Sequence, residues 1–115
     1  MIKENFNFVK GDSYSRGFII DNLDMPIKKI HFTVKEKPSY KKVIIQKTLE
    51  NGIVTDLDNP NRYVVILNPE DTEKLKPNLN YVFDIQIDTD TMKKTIVGGY
   101  LKLDDWDITN KANEV

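Results

Sequence analysis

The sequence predicts an all-β domain: an antiparallel β-sandwich of seven to eight strands with one short helical crossover near residues 69–75. Three observations carry this expectation. Apolar and polar residues alternate with period two in run after run, the pattern of strands with one buried face. Turn formers such as Gly11-Asp12, Asn51-Gly52 and Asp58-Asn59-Pro60 interrupt those runs about every 8–12 residues, the spacing of a sandwich. Residues 62–88 set two strands around a single helical turn, which reads as a chain passing from one sheet to the other.

Phe6 and Phe8 alternate with Asn5 and Asn7, so a first strand is expected near residues 4–10. Gly11-Asp12 is a turn pair. Tyr14, Phe18 and Ile20 share one face of a second strand, which Arg16 interrupts. Residues 21–26 form a loop rich in turn formers. Ile30, Phe32 and Val34 alternate with Lys29, His31, Thr33 and Lys35, giving a third strand with one wet face. Pro38 ends it, because proline cannot donate to a ladder. A basic loop over residues 38–42 leads to a fourth strand marked by Val43, Ile45 and Leu49. Asn51-Gly52 is a strong hairpin signal, since both residues tolerate positive φ in a type I′ turn, and Ile53-Val54-Thr55 is expected to pair back across it.

Arg62 to Leu67 reads as a strand. Asn68 is placed to cap the helical turn, Pro69 fits its first position, and Glu70 and Asp71 at its start with Lys74 and Lys76 near its end match the helix dipole. Pro77 stops it, and Tyr81 to Asp88 alternates again. The last long strand runs from Lys93 to Leu103, where Gly98-Gly99 marks a bulge or a close backbone approach. The expected core is Phe8, Phe18, Phe32, Val34, Ile45, Val65, Leu67, Phe83, Ile85 and Leu101. A single domain is expected over residues 1–109, with a frayed polar tail at 110–115.

A chain of 115 residues buries roughly two-thirds of its unfolded surface, enough for one core without staples. Hydrophobic residues at 39% and charged residues at 30% place it among soluble globular domains. Net charge is −1 with the signs mixed, which argues against a nucleic-acid partner. No apolar run approaches the ~20 residues of a membrane helix, and Met1 to Asn5 hold no apolar signal region. Neither membrane association nor signal-peptide secretion is therefore expected. The absence of cysteine removes disulfides, thiolate nucleophiles and thiolate metal sites, and fits folding in a reducing cytoplasm.

The residues do not point to catalysis, and no enzyme and no cofactor is expected. His31, the single histidine, falls on the polar face of its strand, and no strained nucleophile elbow accompanies it. Asp84, Asp88, Asp90, Asp104, Asp105 and Asp107 gather near the ends of the last two strands. Hard cations take about six to eight oxygens from a tight loop. Asp88-Thr89-Asp90-Thr91 has no glycine and no closing Glu, so a solvated turn is expected there rather than a metal site. Lys35, Lys37, Lys41, Lys42 and Lys47 surround Tyr40. Such a patch can contact single strands of nucleic acid, but a lysine-protected sheet edge better fits the balanced charge. Trp106 either anchors an interface or closes the bottom of the core. Trp106, Tyr40, Lys41 and Lys42 are the candidate partner-contacting residues.

Taken in order, several of these pieces resemble a family of phage and prophage structural domains, the N-terminal domain of baseplate upper proteins in siphophages of Gram-positive bacteria. The pieces are Gly11-Asp12-Ser13-Tyr14, Phe32 to Lys35, Asn51-Gly52-Ile53, Leu67 to Leu75 as Leu-x-Pro-Glu-Asp-Thr-x-x-Leu, Pro77 through Tyr81 to Gln86, and Gly99 to Leu103 followed by Asp107-Ile108-Thr109. The resemblance covers about residues 4–109. It implies an immunoglobulin-like sandwich that is a non-enzymatic building block of a virion tail or baseplate, made in the host bacterial cytoplasm. Its partners would be other virion proteins and copies of itself. The alternative function is a carbohydrate- or receptor-binding module. That reading asks for a row of exposed aromatics, and Tyr40, Tyr100 and Trp106 are the ones on offer.

Overall fold

Alternating side chains build nine strands and one helical turn in this computed structural model, which describes residues 1–21, 23, 25–106 and 108. In chain order they are β1 (Ile2–Lys3), β2 (Phe6–Val9), β3 (Tyr14–Ile19), β4 (Lys29–Lys35), β5 (Ile45–Leu49), β6 (Gly52–Thr55), β7 (Arg62–Leu67), α1 (Pro69–Thr72), β8 (Asn80–Asp88) and β9 (Lys93–Asp104). The strands form one continuous ladder in the order β1-β9-β8-β4-β5-β6-β7-β3, with β2 also on β9. The ladder curls at β5/β6, so that β3-β7-β6 faces β9-β8-β4-β5 across the core. Aromatic contacts close the other side: Tyr14 on β3 lies 4.5 Å from Phe8 and 6.1 Å from Phe6 on β2.

The inward row of each strand fills the space between the layers. Ile30, Phe32 and Val34 of β4, Tyr81, Phe83, Ile85 and Ile87 of β8, and Leu101 and Leu103 of β9 are all buried. Phe83 stacks on Phe6 at 4.5 Å and sits 5.7 Å from Phe32. Nine of the ten expected core residues are buried, and Phe18 is the exception. It lies on β3 at the end of the ladder, half-buried and stacked on Tyr63 at 6.1 Å. Arg16, which broke the inward pattern of β3, has its own use there. Its guanidinium stands 5.0 Å over the Phe6 ring and bonds the Glu4 carboxylate at 3.0 Å, shielding the open side of the core.

The crossover forms where expected but is shorter than the 69–75 expected: α1 ends at Thr72, and Lys74 and Lys76 lie beyond it. β7 and β8 are not neighbours, and α1 carries the chain from one layer to the other. The Asp71 carboxylate accepts the Asn68 N–H at 2.9 Å, half of a capping box. Fully buried Thr72 accepts the Gly11 N–H at 3.0 Å and lies 3.1 Å from the Asp12 carbonyl, fastening the helical turn to the β2–β3 turn.

The structure corrects several details. Three of the pairings are parallel: β1 and β2 on β9, and β5 on β6. Asn51-Gly52 does not make a hairpin. Glu50 (φ 68°) and Gly52 (φ 95°) take left-handed conformations instead, and β6 continues in the direction of β5. The reason lies outside the turn, because β6 is claimed by β7 in the opposite layer, with Ile53 opposite Val65. The first strand is split into β1 and β2. At Gly98-Gly99 the close approach is the right alternative: a Cβ on Gly99 would run into the Glu4 carbonyl. The bulge falls slightly earlier, where β8 Ile85 and Gln86 face β9 Val97 and Thr95 and leave Ile96 as the extra residue. Residues 110–115, expected as a tail, lie outside the described residues.

Candidate functional site

Inward residues of β4 and β8 make the core, so their alternates make an outer face. The register lines these up in rows across four strands. One row is Thr48, His31, Gln86, Thr95, and the next is Gln46, Thr33, Asp84, Gly98 with β1 Lys3 beside it. The third row is Lys35, Val82, Tyr100. Two walls rise from this floor. Pro38 and Val43 of the β4–β5 loop stand on one side, and Met1, Lys3 and Asn5 stand on the other. Between them lies an open groove of about 850 Å³.

The N-terminal wall packs closely on the Gly98-Gly99 pair, and at Gly99 a Cβ would strike the Glu4 backbone. Glu4 N–H bonds the Gly98 carbonyl at 3.1 Å, the Asn5 side chain accepts the Tyr100 N–H at 3.2 Å, and Met1 covers Gly98. On the floor, Gln46 Nε2 donates to Thr33 Oγ1 at 3.2 Å. Gln86 Nε2 donates to Asp84 Oδ2 at a long 3.4 Å. Asp84 makes no ion pair with a described residue. Burial raises its carboxyl above the usual range, and the Gln86 bond and the charges of Lys35 and His31 oppose this only in part. The floor is thus a lattice of hydrogen-bonding side chains around one weakly satisfied carboxylate.

Nothing in that lattice resembles a nucleophile with its base. His31 has Thr48 and Gln86 as cross-strand neighbours. Among the described residues no three His, Asp or Glu side chains come together as a metal site; Asp107 of the acidic series lies outside them. No described helix is long and apolar enough to cross a membrane.

The structure separates the basic patch. Lys35 is on the groove floor, and Lys37 stands 5.9 Å from the Tyr40 ring. Lys47 turns inward, where its Nζ meets Asp71 Oδ2 at 2.8 Å with both side chains largely buried. Tyr40, Lys41 and Lys42 are exposed on the loop. Trp106 is 70% exposed and does not close the core. Sequence reasoning counted Asp84 only as one of an acidic group and passed over Gln46, Gln86 and Thr33. Their period-two positions were visible, but the strand register that makes them neighbours was not.

No known family profile matches the chain, and no curated protein matches it. Among solved structures, the chain is similar to the extracellular domain of the voltage-gated sodium channel beta4 subunit, whose parallel homodimers are described as explaining a role in cell-cell adhesion. The TM-score is 0.53 at 10% identity, covering 90% of this chain and 92% of that one. At that identity the likeness establishes the fold, an immunoglobulin-like β-sandwich.

Proposed function

We propose that this chain is a non-enzymatic assembly module, a structural domain of a phage or prophage tail or baseplate that works through protein–protein contacts in the virion. One observation supports docking most directly. Lys35 faces Val82 and Val82 faces Tyr100, so the β4–β5 loop and the end of β9 share one end of the sheet. That end carries Tyr40, Val43, Tyr100 and Trp106, exposed by 45, 40, 55 and 70%. Large apolar side chains gathered at one end suit an interface, where aromatic residues supply most of the binding energy.

The virion setting rests on the motif order from Gly11-Asp12 to Gly99–Leu103. Copies of the chain itself are included among the partners, in keeping with the homodimers of the structural neighbour. The test is co-expression with the products of neighbouring reading frames, followed by affinity capture and light scattering. Capture of tail or baseplate proteins, weakened about tenfold or more by Trp106→Ala with Tyr40→Ala, is the expected result. A lone monomer amid genes unrelated to virions would refute it.

A further inference from the structure

We infer that the outer-face groove binds a neutral oligosaccharide, with Asp84, Gln86, Gln46 and Thr33 as its hydrogen-bonding floor and Tyr100 as the platform for a sugar ring. This goes beyond the assembly reading and does not depend on it. Four properties of the groove select the ligand.

The first is that the middle of the groove floor offers side chains and no free backbone. β4 and β8, which form the middle of the floor, are hydrogen-bonded on both sides. An extended peptide gains its affinity by adding to a free strand edge, and the middle of the floor presents none; the unpaired edges, of β1 and of residues 45–47 in β5, lie at the margins of the groove. A ligand lying across the middle of the floor is therefore read by side-chain groups.

The second is the chemistry of those groups. A carboxylate only accepts, an amide donates and accepts, and a hydroxyl does both. Asp84, Gln86, Gln46 and Thr33 bring all three kinds together within two adjacent rows. Sugar hydroxyls, each a donor and an acceptor, suit such a mixture. The existing bonds on the floor lie at the upper end of the ordinary range, 3.2 Å, and beyond it, 3.4 Å, so they can be exchanged for bonds to a ligand at low cost.

Charge is the third. Asp84 stands among Lys35 and Lys3 in the lining, so charges of opposite sign partly offset each other across the floor. A neutral chain needs no charge partner in such a floor.

The fourth is shape. The groove lies between two walls, its volume of about 850 Å³ falls in the range of small-ligand sites, and Tyr100 at one end is 55% exposed. That leaves a ring face for the apolar side of a pyranose, while the hydroxyls reach the polar floor.

The test titrates cellotetraose, maltotetraose and chitotetraose into the full chain labelled with ¹⁵N, beside a neutral-glycan array. The expected result is saturable shifts of the backbone amides of Thr33, Val82, Asp84 and Gln86 with at least one neutral glycan. Asp84→Asn and Gln46→Ala should each weaken binding about tenfold, the cost of one charge-assisted bond or a pair of weaker ones, in proteins whose spectra remain dispersed. The groove and the assembly surface share Val43 and Tyr100, whereas Trp106 lies outside the groove lining; Trp106→Ala should therefore leave the titration unchanged while weakening assembly. No response on the array with no shift in the groove, shifts confined to other surfaces, or unchanged binding by both variants would each overturn the inference.

Discussion

Two carboxylates show how position decides what an aspartate does. Asp71 is nearly buried, and burial pushes its carboxyl upward; the Lys47 bond, the Asn68 N–H and the charges of Lys47 and Lys74 outweigh that and leave it below the ordinary value. A depressed folded pKa means that Asp71 supports the fold above its unfolded pKa and loses that support as pH falls through the folded one. Asp71→Asn should therefore cost about 2–3 kcal/mol at neutral pH, because it leaves Lys47 charged in a mostly buried site. Urea melts at several pH values check this, and the deficit should shrink in acid. Asp84 runs the opposite way. Its raised pKa means that the ionised form weakens the fold at neutral pH, and that stability returns as pH falls through the raised value. Asp84→Asn should raise the melting temperature at pH 7, with the gain vanishing in acid. Phe83 belongs to a third kind, held between Phe6 and Phe32. Its truncation to Ala should cost ~3–5 kcal/mol in denaturant melts.

Among the elements, the N-terminal strands carry more than their length suggests. β2 brings Phe6 and Phe8 into the core, and β1 forms a wall of the groove. Both lie parallel to β9, and Gly99 is the notch that admits Glu4. Gly99→Ala should push the backbone of residues 3–5 away. We expect a loss of about 1–3 kcal/mol, as for other forced insertions into a packed site, with faster amide exchange in β1 and β2 than in β4 and β8. α1 is short, and its strength comes from outside it: Thr72 holds Gly11 and Asp71 holds Lys47. An isolated turn of four residues would not persist in water.

At the scale of the molecule, the curled ladder needs contacts between chain ends. β2 on β9, and Tyr14 beside Phe6 and Phe8, join residues far apart in sequence. Such topologies fold slowly, since loop closure precedes reward. Removing residues 1–9 should abolish the cooperative thermal transition rather than lower it slightly, because the core would lose two aromatic rings and β9 its edge cover. Calorimetry distinguishes the two outcomes. Under the proposed assembly role, the exposed aromatics at the β4–β5 end would be the contacts with other chains, as the affinity-capture experiment examines.

Alternation and turn residues were enough, read along the chain, to settle β4 over 29–35, β7 over 62–67, the α1 crossover and most of the core. Each of those depends on neighbours within a few residues. Pairing partners lay out of reach. The Asn51-Gly52 signal was locally sound but lost to β7, which recruits Ile53 into the other layer. Lys47 looked like one more surface lysine until the curl of the sheet brought Asp71 to it. The groove is a further case, since Gln46, Thr33, Asp84 and Lys3 share a row only through register. Local sequence fixes which face of a strand is greasy, whereas long-range packing decides which strand lies alongside and therefore which polar groups meet.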